Sequence, residues 1–203
     1  MLPLRRADLQ HTRHHSRIRT INFAMDRWFI VVSGLPGSGK STLGKDLASA
    51  LGLNLLDKDA ILERLFDSRG TGGAEWRRAL SRESDRILQA DAAVSNGAVL
   101  VSHWRLPGMP LASGTPANWL LKLSARLVNV HCQCETEIAI ERFLRRKRHP
   151  GHLDSERSEA EIRESIRDAA NLGRLDIGPR IAVDTSQPPD LNLVLKEIRR
   201  ALE

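Results

Sequence analysis

The stretch "WFIVVSGLPGSGKSTLGKDLASAL", residues 28–51, restricts the fold more than any other part of the chain. An apolar, β-branched run ends at a glycine turn, and an amphipathic segment opens at a lysine. Gly34, Gly39, Lys40 and Ser41 fit the spacing G-x-x-x-x-G-K-[ST], a loop whose inward-facing backbone N–H groups enclose a phosphate chain. Gly34, Gly37 and Gly39 bring bare backbone close to the anion, with Pro36 and Ser38 between them in the turn. Lys40 supplies a point charge for the β- and γ-phosphates, and Ser41 a hydroxyl for a magnesium ion. Thr42 follows on the helix, whose N-terminal dipole adds to the attraction. A strand must deliver this loop and a helix must leave it. Binding of a nucleoside triphosphate, ATP with Mg2+, is the expectation that follows.

Apolar runs bounded by polar turns recur at 28–33, 53–57, 97–103, 125–132 and 180–186, which predicts five buried parallel strands. Helical patterns lie between them at 40–51, 60–66, 74–95, 116–123, 135–148, 158–171 and 190–202. Such alternation predicts an α/β chain with helices on both faces of the sheet and the ligand at the carboxyl ends of the strands. Two glycine- and proline-rich loops, 66–73 and 105–116, are placed to surround a substrate there.

Charge narrows the class of partner. The formal net charge is +6, but residues 1–24 hold Arg5, Arg6, Arg13, Arg17 and Arg19 against Asp8 alone, leaving +2 for all that follows. The expected organisation is therefore a disordered basic leader at 1–24 and one domain at 25–203, with Met25 as the start of the domain. An Arg-rich, acid-poor leader also fits a transit peptide. A near-neutral domain without tyrosine is a poor nucleic-acid surface, so nucleic acid is not expected as a partner. No apolar run reaches the length of a membrane span. Cys132 and Cys134 stand two apart in a strand-like run, without the spacing of a paired metal knuckle, and are read as packing residues of a cytoplasmic protein.

Candidate catalytic groups cluster after the second and fourth strands. "LLDKDAILERLF" puts Asp57 and Asp59 at a strand's carboxyl end beside the glycine loop. Asp59 is the expected carboxylate for an acceptor hydroxyl, and Asp57 the expected partner of the metal. Either also suits capping of the following helix. In "IAIERFLRRKRHPGHLD", Arg142, Arg145, Arg146 and His149 gather opposite an apolar face, as expected of a lid that meets phosphates, with Arg142 and Arg146 favoured. His149 and His152 flank a Pro-Gly turn and read as a hinge rather than a metal site. In "VDTSQPPD", Thr185, Ser186 and Gln187 are candidates for contact with the base, and loop capping explains them equally well.

Taken together, "GLPGSGKST", "DKD", "ERFLRRKR" and "VDTS" resemble the small P-loop kinases of the nucleoside-monophosphate-kinase-like group. In detail they resemble AAA_33-type kinases, near polynucleotide 5′-hydroxyl kinase, zeta toxin and chloramphenicol phosphotransferase. The resemblance implies a three-layer P-loop NTPase fold with a five-stranded parallel sheet and a helical lid. It further implies transfer of phosphate from ATP to a hydroxyl of a small molecule, with Lys40 on phosphate, Ser41 on the metal, Asp59 on the acceptor and lid arginines on the transferred group. A nucleotide-binding ATPase or switch and a nucleic-acid 5′-hydroxyl kinase are the alternatives. One departure stands out: most P-loop proteins end the third strand with an aspartate that holds magnesium through water, and "GAVLVSHW" offers Ser102 and His103 instead. Since the leader carries no periodic apolar pattern, its removal is expected to move the melting temperature by no more than about a degree or two. Thermal denaturation of residues 25–203 against the full chain measures this.

Overall fold

The computed structural model describes residues 27–203; the leader expected at 1–24 lies outside the described residues. Five strands form one parallel sheet: β1 (Trp28–Gly34), β2 (Asn54–Asp57), β3 (Gly97–Val101), β4 (Arg126–Gln133) and β5 (Arg180–Asp184), in the order β2-β3-β1-β4-β5. The chain leaves β1 to one side for β2 and β3, then crosses to the other side for β4 and β5. β1 is thus where the order reverses, and the crevice beyond its carboxyl end is the place for a ligand.

Side-chain alternation assigns the layers. Ile30, Val32, Val99, Val101, Val128 and Val130 point to one face and pack on α1 (Lys40–Leu51) and α6 (Leu191–Leu202). Phe29, Val31, Ala98 and Leu100 point to the other and meet α2 (Lys58–Arg69) and α3 (Ala74–Val94). Both faces of the central strands are covered, which is why their sequences read as unbroken apolar runs. A smaller cluster of Ile140, Phe143, Ile162 and Ile166 joins α4 (Thr136–Arg145) to α5 (Glu159–Ala170) and reaches Leu35 of the glycine loop. This helix pair is the lid over one side of the crevice.

Three local expectations are corrected. The helix expected at 116–123 is a single 3₁₀ turn, Leu120–Lys122, wound tightly because Trp119 Nε1 donates to the Pro116 carbonyl at 2.8 Å while Leu120 enters the core. The helix expected at 135–148 stops at Arg145, and Arg146 is extended, because Arg148 is drawn off to carboxylates on other elements. The loop expected at 66–73 shrinks to residues 70–73, since α2 runs on to Arg69, whose guanidinium takes both oxygens of Glu83 at 2.6 Å.

α1 lies close to the sheet through Gly44. A Cβ there would come within 2.5 Å of Val101 Cγ2, and a strand valine has little freedom to turn away. Gly44→Ala is expected to destabilise the fold by about 1–2 kcal/mol, overpacking outweighing the gain in helix propensity of about 1 kcal/mol. Urea denaturation of the two proteins checks the sign.

Candidate active site

The glycine loop turns as its sequence demands. Gly37 has φ +80°, and a Cβ there would sit 2.0 Å from the Ala139 carbonyl, so the lid helix α4 rests directly on loop backbone. Gly39, with φ +88°, closes the turn just before α1. Ser38 is fully buried beneath the loop, Gly34, Pro36 and Lys40 are partly buried, and Ser41 and Thr42 face outward on the first turn of α1. Lys40 Nζ donates to the carbonyls of Gly34 at 3.0 Å and Leu35 at 2.6 Å. Burial brings its pKa down to about 8, against the pull of Cys132 and Asp59. A phosphate chain offers that ammonium a stronger partner than two carbonyls.

The two aspartates stand in different surroundings. Asp57 caps α2 by accepting from the Asp59 amide at 2.9 Å, and the Ser41 hydroxyl is near enough to act on its carboxylate. Burial raises its pKa, while the nearby Ser41 hydroxyl opposes the rise. An oxygen pair of hydroxyl and half-desolvated carboxylate beside a phosphate loop fits a magnesium ion, which takes few protein ligands and relies on phosphate and water for the rest. Asp59 stands one step further out on the first turn of α2, with 49 % of its side-chain surface open. Burial of its carboxyl would raise the pKa, but Arg148, then His152, Lys40 and Arg146, hold it below the ordinary carboxylate value. Asp59 is therefore ionised and ready to accept a hydrogen bond.

Arg148 pairs with Asp59 and, through its other nitrogen at 3.1 Å, with Asp154. The following turn, Pro150–His152, packs on α2: His149 stacks on Phe66 with ring centroids 5.2 Å apart, and His152 Nε2 meets Glu63 at 2.9 Å. A Cβ on Gly151 would lie 2.5 Å from the Phe66 ring. The segment read as a hinge is thus strapped to α2 in this structure. Among the described residues no group of three or more His, Cys, Asp and Glu could hold a metal.

The structure separates the two favoured lid arginines. Arg146 lies over the Phe143 ring at 4.0 Å, and burial, with the repulsion of Arg148, lowers its pKa to about 10. It is close enough to Lys40 and Asp59 to influence both. Arg142 turns the other way, donating to the carbonyls of Thr185 at 2.6 Å and Ser186 at 2.8 Å. Those bonds hold the loop after β5 and draw Arg142 away from the phosphate side. Thr185 is buried beside Gly39, its Cβ 4.0 Å from where a Gly39 Cβ would sit, and its hydroxyl donates to the Gln133 carbonyl at 3.4 Å. Cys132 is packed in the core, where burial pushes its thiol up to about 12.

A family model described as AAA_18, an AAA domain, matches residues 30–164, more than half of the chain. The chain belongs to the AAA_18 family. Its fold is also that of a candidate kinase from Chloroflexus aurantiacus j-10-fl, at TM-score 0.72 and 27 % identity, over 86 % of this chain and 98 % of that one. Shikimate kinase from Bacteroides thetaiotaomicron shares the fold at TM-score 0.52 and 18 % identity, over 86 % of this chain and 97 % of that one. Among curated relatives, shikimate kinase of Mycobacterium marinum (strain ATCC BAA-535 / M) is 46 % identical over 66 residues, 30 % of this chain and 36 % of the relative. That of Mycobacterium ulcerans (strain Agy99) is 40 % identical over 102 residues, 47 % of this chain and 54 % of the relative. The chain thus spans between about a third and a half of the length of these curated relatives.

Two residues of this AAA_18 site escaped the sequence reading. Arg148 sits among the lid cations, but its distance from Pro150, which forbids helix just before it, was the signal that it leaves the helical phase. Arg77, in the first turns of α3, has a buried Nε without a hydrogen-bond partner. Burial and Arg148 lower its pKa, and Asp154 and Asp59 oppose this, which places it on the Arg148 side of the crevice. Its signal was a helix start directly after a glycine loop, at the open end of the sheet.

Because the folded AAA_18 chain holds Lys40 near a pKa of about 8, a bound triphosphate must raise that value again. Calorimetry in buffers of different ionisation enthalpy is expected to show proton uptake on ATP binding at about pH 8.5 and little at about pH 6.5. Lys40→Met should abolish the uptake and weaken binding.

Proposed function

We propose that the chain is an ATP-dependent phosphotransferase that moves the γ-phosphate of ATP to a hydroxyl of a small molecule. The observation that carries this reading is the placement of Asp59: an ionised, half-open carboxylate within the electrostatic reach of Lys40, held in position by Arg148. A hydrolase has only to orient water, whereas an acceptor hydroxyl must be held in line with the γ-phosphate. The glycine loop and Lys40 hold the phosphates. Asp59 accepts the hydrogen bond of the acceptor hydroxyl and takes its proton as the new O–P bond forms. The bond from γ-phosphorus to the bridging oxygen breaks, and ADP carries away that electron pair. Arg146 faces the charge on the moving group. Ser41 and Asp57 would hold a magnesium ion, whose charge neutralises the phosphate oxygens. Asp59 is a weak base, which suits a transition state in which proton transfer comes late.

The acceptor side is cationic. Arg148 and the unpartnered Nε of Arg77 favour a small hydroxylated acid, and shikimate, named for the curated relatives, belongs in the first panel of acceptors. The same chemistry is that of polynucleotide 5′-hydroxyl kinase, zeta toxin and chloramphenicol phosphotransferase, the finer kinship its motifs resemble. A nucleic-acid acceptor is disfavoured, since Trp28 and Trp104 are buried, Trp119 packs against Trp104, and Trp76 is the one exposed tryptophan of four. Among the described residues no helix is long and apolar enough to cross a membrane, and we place the enzyme in the cytoplasm.

The test is Asp59→Asn, which keeps the shape and the capacity to hydrogen-bond while removing the charge. Transfer to the acceptor found by the panel is expected to fall by ~10²-fold or more, with ATP affinity within a few-fold. Equal rates in the two proteins, or ADP release that no acceptor stimulates, would overturn the reading.

A further inference from the structure

The third strand ends without an acid, and the site described above leaves one of its residues without a role. β3 lies between β2 and β1, and the register aligns Val101 with Asp57 on one side and Val32 on the other. Two residues beyond these stand His103, just past the end of β3, Asp59, in the first turn of α2, and Gly34, the last residue of β1. His103 thus follows the strand that lies between the two leading to the acceptor carboxylate and to the phosphate loop, and both Lys40 and Asp59 act on its ring.

The backbone around His103 is fastened on both sides. Ser102 Oγ and Thr115 Oγ1 lie 2.6 Å apart, the His103 carbonyl accepts from the Thr115 amide at 2.8 Å, and Trp104 Nε1 donates to the Val32 carbonyl at 2.9 Å. Trp104 belongs to the cluster under α2 and α3, together with Leu100 and Ala98. By alternation His103 falls on the opposite face with Val101, the face that α1 covers and from which Lys40 and Ser41 rise. Lys40, Asp59, Lys58 and Arg148 are the charges that act on its ring. Burial, and then Lys40, hold its pKa at about 4, so the imidazole is neutral and carries both a donor and an acceptor nitrogen. Among the described residues neither nitrogen bonds to protein. The ring is only partly buried, and its nitrogens are accessible to a ligand.

We infer that His103 is a catalytic residue that hydrogen-bonds the γ-phosphoryl group between the glycine loop and Asp59. The inference rests on the kinase reading only for the acceptor half of the reaction; the contact with the γ-phosphate needs ATP alone. A neutral ring donates to a phosphate oxygen without adding to the positive charge of Lys40 and Arg146, and without repelling the phosphate as an aspartate in that place would unless a metal intervened.

Two experiments test it. The first uses the full chain with 15N-labelled histidine; its seven histidines are few enough to resolve, and the His103 resonances are assigned by their loss in His103→Gln. Saturation with magnesium and a non-hydrolysable imido analogue of ATP is expected to shift these resonances relative to saturation with magnesium and ADP, because only the analogue has a γ-phosphate. Coincident spectra would overturn the assignment. The second is kinetic: His103→Ala is expected to lower kcat by ~10²-fold with KM for ATP within a few-fold, and His103→Gln to recover part of the loss. A folded His103→Ala protein with wild-type kcat, or one whose whole loss is in ATP binding, would also overturn it. The spectral test needs no acceptor, so a chain that binds ATP and phosphorylates nothing would defeat the kinase reading while leaving His103 separately judged.

Discussion

Everything at the crevice depends on the register of three strands. β2, β3 and β1 lie side by side with Asp57, Val101 and Val32 level, so the groups that follow them arrive at one height on one edge of the sheet. Backbone hydrogen bonds set this alignment, and a slip of one residue would turn every side chain to the opposite face. The apolar side chains resist that slip: Val32, Val99 and Val101 are committed to α1 and α6, and Val31, Leu100 and Phe29 to α2 and α3. The chemistry at the edge is thus held in place by the packing of residues that take no part in it.

A second constraint is electrostatic. Lys40, Arg77, Arg146 and Arg148 converge on a cleft in which Asp57, Asp59, Glu63 and Asp154 are nearby acids. Desolvation lowers the pKa of Lys40 and Arg146, while the same cations keep Asp59 ionised against the effect of its own burial. Neither sign would be stable in this volume without the other, and a ligand bearing several negative charges relieves the excess of cations. The strap from Arg148 to His152 serves the same balance, since it ties the end of the lid to α2 through Asp59, Glu63 and Phe66.

How much of this was legible follows from the range of each interaction. The phosphate loop is local: strand, glycines, lysine and helix lie within one continuous stretch, and each residue's task follows from its neighbours in the chain. The five strands and their order of occurrence were equally readable, because burial on both faces leaves a continuous apolar run. The end of α4 was not. Four cations at a helix C-terminus suit the dipole whether the helix ends at Arg145 or Arg148, and the choice was made by Asp59, 89 positions away from Arg148. Arg142 shows the reverse: it sits on the cationic side of its helix as expected, yet two carbonyls after β5 claim it.

By itself, then, the sequence determined what the chain folds into and what it grips: a strand, a glycine turn and a helix dipole that can only close on phosphate, set in an alternation that can only build a covered parallel sheet. The tertiary structure decided which charged groups gather beside that loop. It turned Arg142 to the loop after β5, set Arg146 near Lys40, paired Arg148 with Asp59, and gave the helix cap to Asp57. The physical reason is distance along the chain. Local backbone preference acts between near neighbours, whereas a side chain's partner is chosen by strand order and helix docking, which bring together residues whose separation in sequence carries no signal of contact.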